Sequence, residues 1–221
     1  TKLRRLISLG EVKDINADDA KITVTLDKTA HTITVTDTGI GMTEEELRKY
    51  ICQIALSGAL DFIQKYEGEG DAAQNGIIGH FGLGFYSSFM VSDRVDIITK
   101  SYTGAPCVKW TCGEDGEYDI TPDYTPEEGE VPAYGTSVVM HVNEEGEEFL
   151  SMYKLREVLE KYCAFMPVPI YLVDAEAEDE EAHDDHECTC EHAHADGEEC
   201  TCDHEHAQEK KEPEPINDTH P

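Results

Sequence analysis

Apolar residues recur at helical spacing at the start of the chain. Leu3, Leu6 and Ile7, with Gly10 as a stop, predict the end of a helix over residues 1–9. Two alternating runs follow. Ile22, Val24 and Leu26 alternate with threonines, and Ile33 and Val35 repeat the pattern beyond a short turn. This period of two predicts a β-hairpin with one buried face. The second strand runs into Asp37-Thr38-Gly39-Ile40-Gly41-Met42. Thr43 then opens a helix, and Glu46, three residues on, completes a capping box. Leu47, Tyr50, Ile51 and Ile54 supply that helix with an apolar stripe.

Residues 67–84 change character, with Glu67-Gly68-Glu69-Gly70 ahead of Gly76-Ile77-Ile78-Gly79-His80-Phe81-Gly82-Leu83-Gly84-Phe85. Glycine-rich chain has low intrinsic order, which predicts a mobile lid, and a buried helix is expected to follow through Met90. Strand patterns recur at 94–100, 106–112, 117–121 and 135–142. A helix at about 147–163 and a strand at 168–173 complete the globular part. Hairpins interleaved with helices predict an α+β fold, a two-layer sandwich of a mostly antiparallel sheet with helices on one face.

Composition adds a second material. Of 48 Asp and Glu, 19 lie in residues 174–221, opposed there by two lysines. Residues 174–215 hold almost no large apolar side chain and are expected to form a disordered acidic linker. A 12-residue repeat runs within it: Cys188, Cys190, His192 and His194 recur as Cys200, Cys202, His204 and His206. These are ligands that Zn²⁺ or another soft metal prefers, and loose binding of several ions suits Cys-x-Cys spacing better than a structural zinc site. A net charge of −31 argues against nucleic acid and anionic membranes as partners. Eight cysteines without an export signal point to reduced thiols in a cytoplasmic protein. Cys52, Cys107, Cys112 and Cys163, scattered over separate elements, read as buried structural thiols.

Three elements carry candidate chemistry. Asp37-x-Gly39-x-Gly41 sits where a strand hands over to a helix. Turn chemistry alone explains Asp and Gly there. Aspartic proteases also use Asp-Thr-Gly, but they need two carboxylates sharing a proton, and the chain has no second such loop. Purine recognition is the third reading: a lone carboxylate can accept the exocyclic N–H of adenine, glycines let the ring approach the backbone, and Met42 packs on its face. The glycine run at 76–85 lets backbone N–H groups converge on phosphate oxygens. It lacks the ending of a P-loop and the surrounding unit of a Rossmann turn. Gly135-Thr136 heads a strand, where the Thr136 hydroxyl could bond the base or a water beside Asp37.

In this order and spacing the three elements resemble the ATPase fold shared by DNA gyrase, histidine kinases and MutL. They are more closely similar to the N-terminal domain of the heat-shock protein 90 chaperones in their bacterial form. The similarity rests on Asp37-Thr-Gly-Ile-Gly-Met-Thr43, Ile54-Ala-Leu-Ser-Gly58, Ile78-Gly-His-Phe-Gly-Leu-Gly-Phe-Tyr-Ser87 and Val95-Asp-Ile-Ile-Thr-Lys100. It covers residues 1–173 and resumes at Ile216-Asn-Asp-Thr-His-Pro221, which is similar to the opening of the family's middle domain.

The resemblance implies that Asp37 binds the adenine amino group, with Gly41, Met42 and Thr136 completing the base site. Gly79, Gly82, Gly84 and Phe85 would meet the phosphates of ATP or ADP with Mg²⁺, and residues from about 58 to 84 would form the lid. It further implies a homodimeric chaperone that couples ATP-driven closure to work on client proteins, dimerised through a domain these residues do not include. In the family, the Glu that activates water and the Asn that helps hold Mg²⁺ precede the segment matching Lys2-Leu3-Arg4-Arg5. The chain is therefore expected to be cut from something longer, to lack the first strand and helix, and to bind nucleotide weakly without hydrolysing it. The rival from a different class is a metal-binding or metal-buffering protein acting through the Cys/His repeat.

Overall fold

The computed structural model describes residues 2–52, 84–177 and 214–219. Helix α1 (Lys2–Ser8) buries Leu3 and Leu6. It stops where the sequence predicts: Gly10 has φ +73°, its N–H donates to the Ile7 carbonyl (2.9 Å), and the Glu11 N–H donates to that of Leu6 (3.0 Å). This pair of bonds satisfies carbonyls that a helix end otherwise orphans, and it needs a left-handed residue that glycine adopts without cost. Helix α2 (Glu44–Tyr50) begins with the capping box: Thr43 Oγ1 accepts from the Glu46 N–H (3.3 Å) and Glu46 Oε2 accepts from the Thr43 N–H (2.9 Å). Its Leu47 is fully buried.

The strands β1 (Ile22–Asp27), β2 (Thr32–Asp37), β3 (Ser92–Lys100), β4 (Val108–Gly113), β5 (Tyr118–Thr121), β6 (Gly135–Val142) and β7 (Ile170–Asp174) form one sheet in the order β5-β4-β3-β6-β2-β1-β7. All neighbours are antiparallel except β1 and β7. In the hairpin, Val24 stands opposite Val35 and Leu26 opposite Ile33. These residues enter a core cluster with Leu155 of helix α3 (Met152–Cys163) and Ile170. A second cluster joins Leu47 to Val95, Ile97, Val108 and Trp110. Fully burying such side chains contributes roughly 1.5–3 kcal/mol each, so the helix-covered face of the sheet holds the domain together. The fold is the α+β sandwich that the alternation predicts.

Two helices and the burial of two cysteines differ from expectation. The helix expected over 147–163 is divided into a 3-10 turn, Glu144–Phe149, and α3. Asn143 caps the turn by accepting the Gly146 N–H (3.0 Å), and Gly146 lies so close to Val91 that a Cβ would overlap the Val91 carbonyl. The buried helix expected through Met90 is a 3-10 turn over Gly84–Met90, with Met90 70% exposed. Its Phe85 and Phe89 face the core, and a tight three-residue period cannot bury a stripe as long as an α-helix can. Of the four cysteines expected to be buried, Cys107 and Cys112 are, whereas Cys52 and Cys163 are half-buried. Burial raises the thiol pKa of Cys107, Cys112 and Cys163, which suits inert packing groups.

Residues 214–219 pack beside β7. The Ile216 N–H donates to the Ile170 carbonyl (2.8 Å) and the Asp218 N–H to that of Ala164 (2.9 Å). Asn217 is buried between them, its side chain accepting from the Ile170 N–H (2.8 Å) and donating to the carbonyls of Met166 (2.8 Å) and Val168 (2.9 Å).

Candidate functional site

Asp37 is the last residue of β2, and the sheet register decides its neighbours. It stands opposite Ile22 of β1 and opposite Thr136 of β6. Thr136 in turn stands opposite Thr99 of β3, and Thr99 opposite Val108 of β4. Residues directly opposite share a face, with Cβ atoms about 5 Å apart. Asp37, Thr136 and Thr99 thus form a polar triplet in one row across the sheet, flanked by Ile22 and Val108. The row lies on the helix-covered face, where an isolated polar group is costly unless it is bonded or meets a ligand.

The Asp37 carboxylate is oriented by its own turn: Oδ1 accepts from the Gly39 N–H at 2.7 Å. Among the described residues, no donor meets Oδ2. Burial raises the Asp37 pKa above its ordinary value of 3.8, opposed by the Gly39 hydrogen bond. The side chain is only half-buried by its exposed surface, so it is reachable although the protein around it disfavours its charge. An oriented carboxylate with one oxygen unmet among the described residues suits an amino group that donates to it.

Two glycines let the turn lie against the sheet. Gly41 has φ +59°, and a Cβ there would overlap the Lys100 carbonyl oxygen. Gly135 has φ +126°, and a Cβ there would overlap the Asp37 carbonyl. Both are close backbone approaches in conformations that L side chains avoid. The turn is then fastened on both flanks. Thr99 Oγ1, fully buried, accepts from the Met42 N–H (2.9 Å), and the Tyr102 N–H donates to the Ile40 carbonyl (2.9 Å). On the other flank the Thr38 hydroxyl donates to the Asp19 carbonyl (3.0 Å) and accepts from the Lys21 N–H (2.9 Å).

The structure therefore brings Asp37, Gly41, Met42 and Thr136 together. Met42 packs half-buried against the Leu47 cluster. Gly84 opens the 3-10 turn. The Phe85 ring packs edge-on against Trp110, centroids 5.6 Å apart, so any contact Phe85 makes with an anion is through its backbone. Gly79, Gly82, His80, most of the lid expected over 58–84, and the whole Cys188–His206 repeat lie outside the described residues. Among the described residues no group of three His, Cys, Asp or Glu is placed to hold a metal, and no helix is long and apolar enough to cross a membrane. A cleft of about 450 Å³ lies behind the turn, lined by Asp18, Asp19, Lys21, Thr38, Tyr134 and Tyr171 among others; its lining includes Thr38 but not Asp37.

Sequence reasoning missed Thr99 and the packing role of Gly135. Thr99 reads as an ordinary strand threonine in Val95-Asp-Ile-Ile-Thr-Lys100. Only its pairing with Thr136 across two strands distant in sequence reveals it.

Residues 14–133 match the family model described as histidine kinase-, DNA gyrase B-, and HSP90-like ATPase. The chain is 51% identical over 170 residues to the chaperone protein HtpG of Porphyromonas gingivalis, covering 76% of this chain and 23% of that relative. It is 49% identical over 170 residues to HtpG of Bacteroides fragilis, with the same coverage. With HtpG of Vesicomyosocius okutanii it shares 42% over 158 residues, 69% of this chain and 24% of that relative. The chain thus spans about a quarter of the length of these curated relatives. A carboxylate set beside Thr136 on an α+β sheet, two glycines at close backbone approaches and the family match agree: the chain belongs to the histidine kinase-, DNA gyrase B- and HSP90-like ATPases, and within them is similar to HtpG.

Proposed function

We propose that this chain is the adenine-nucleotide-binding domain of an ATP-dependent molecular chaperone. The observation that carries the reading is the Asp37 carboxylate opposite Thr136, its Oδ2 unmet by any donor among the described residues, on a turn that glycines press against the sheet. Asp37 accepts the adenine amino group, and Gly41, Met42 and Thr136 complete the base site. Gly79, Gly82, Gly84 and the Phe85 backbone meet the phosphates of ATP or ADP, which Mg²⁺ accompanies. The relatives named chaperones support action on client proteins; the homodimer and the cytoplasmic setting are what the resemblance to the heat-shock protein 90 family implies. By the same resemblance these residues bind nucleotide weakly and do not turn it over.

Calorimetric titration of ADP with Mg²⁺ into the chain, beside Asp37→Asn, tests the reading. The amide keeps the acceptor for the Gly39 N–H but can set an N–H₂ against that of adenine. A hydrogen bond to a charged group is worth about 1.5–3 kcal/mol, so affinity should fall roughly 10- to 150-fold. Binding indifferent to Asp37 removes the site assignment.

A second reading rests on the repeat of Cys188, Cys190, His192 and His194 as Cys200, Cys202, His204 and His206. These residues take up Zn²⁺ or another soft metal, whether beside the nucleotide function or, if no nucleotide binds, as a metal buffer.

A further inference from the structure

The Thr99 hydroxyl stands at the junction of three groups. It accepts from the Met42 N–H at 2.9 Å and lies 3.0 Å from Thr136 Oγ1 and 3.2 Å from the Gly135 carbonyl oxygen. A hydroxyl has one proton. Thr99 can give it to the Gly135 carbonyl, in which case Thr136 donates to Thr99 and offers the site a lone pair. Alternatively it gives the proton to Thr136, and the Thr136 proton is released to point outward. The shorter contact is the one to Thr136, nearer the preferred O–H···O separation. Thr99 is also fully buried and anchored by the Met42 N–H, so no water competes for its proton.

We propose that Thr99 is a positioning and specificity-determining residue: by donating to Thr136 it makes Thr136 a hydrogen-bond donor beside the Asp37 acceptor. This deepens the reading of the base site and rests on it. An acceptor next to a donor is complementary to an amino group next to an unprotonated ring nitrogen, the edge of a 6-aminopurine. A 6-oxopurine presents the reverse, a carbonyl beside an N–H, and meets like against like at both positions. Asp37 alone reads one of these positions. Thr99, acting through Thr136, supplies the second.

The test measures ADP and inosine diphosphate affinities for the wild-type chain, Thr99→Val and Thr99→Ser by calorimetry, at a temperature where melting curves show each variant folded. Valine preserves the shape but leaves the Thr136 proton free to turn either way, while serine keeps the hydroxyl. The ratio of ADP to inosine diphosphate affinity should fall about three- to tenfold in Thr99→Val, the worth of one hydrogen bond, and return in Thr99→Ser. A merely structural role weakens both nucleotides alike and leaves the ratio unchanged, which overturns the proposal. A ratio that rises overturns it too, since the proton would then sit on Gly135. Wild-type chain that binds neither nucleotide removes the base-site reading and this inference with it. Wild-type binding of ADP with an unmoved ratio in Thr99→Val removes only the role of Thr99. If Thr99→Val does not fold, the Thr99→Ser and Thr136→Val ratios decide: Thr136→Val must show the same fall, and Thr99→Ser must not.

Discussion

Replacing Asn217 by alanine should destabilise the whole nucleotide-binding domain, although the residue lies more than 40 positions beyond the last strand. The residue is 6% exposed, and its side chain satisfies three backbone groups at once: the Ile170 N–H and the Met166 and Val168 carbonyls. Each bond contributes about 0.5–1.5 kcal/mol net, and a buried group left unpaired costs about 1–3 kcal/mol. Water entering as residues 214–219 detach would relieve part of that cost. We expect a loss of about 3 kcal/mol, which at a urea dependence of about 2 kcal/mol per molar lowers the midpoint by roughly 1.5 M. The single tryptophan, Trp110, is 3% exposed in the core cluster, so its fluorescence reports unfolding of the sheet. Glu214→Ala, an exposed neighbour, serves as the control and should leave the midpoint in place. A shift in Asn217→Ala no larger than that of the control would refute the reasoning, because 214–219 would then contribute nothing to the domain.

Two further outcomes are expected. Asp37 has a raised folded-state pKa, so the native state holds its proton to higher pH than the unfolded chain does, and its ionisation costs stability as pH rises from about 3.8 through the folded value. ADP affinity should therefore fall on acidification through that window, while Asp37→Asn melts with the wild type at low pH and above it near neutrality; a melting difference that closes as pH rises would contradict this. For the repeat, titration of the full chain against a chelating dye should show Zn²⁺ uptake at neutral pH that is lost when Cys188, Cys190, Cys200 and Cys202 are all replaced by serine. A flat titration would dispose of the metal reading.

Much of the local architecture follows from the sequence alone. The hairpin of β1 and β2, the stop at Gly10 and the capping box of Thr43 and Glu46 each depend on residues within a few positions of one another. Alternation, a left-handed glycine and a reciprocal side-chain bond are short-range signals, and they act whatever the rest of the chain does. Asp37, Gly41, Met42 and Thr136 were legible as candidates because their residue types and order are unusual. What tertiary structure decided is register. Asp37, Thr136 and Thr99 are neighbours because β2, β6 and β3 pair in that order, and a slip of one residue would turn Thr136 to the opposite face. Nothing local distinguishes Thr99 from Thr111 or Thr121, the threonines of β4 and β5. The parallel pairing of β1 with β7, and the docking of Asn217 under Ile170, likewise depend on segments more than a hundred and some forty residues apart. Such contacts are selected by burying the combined apolar surface and satisfying every backbone group beneath it, a condition that belongs to the folded whole and to no single stretch of chain.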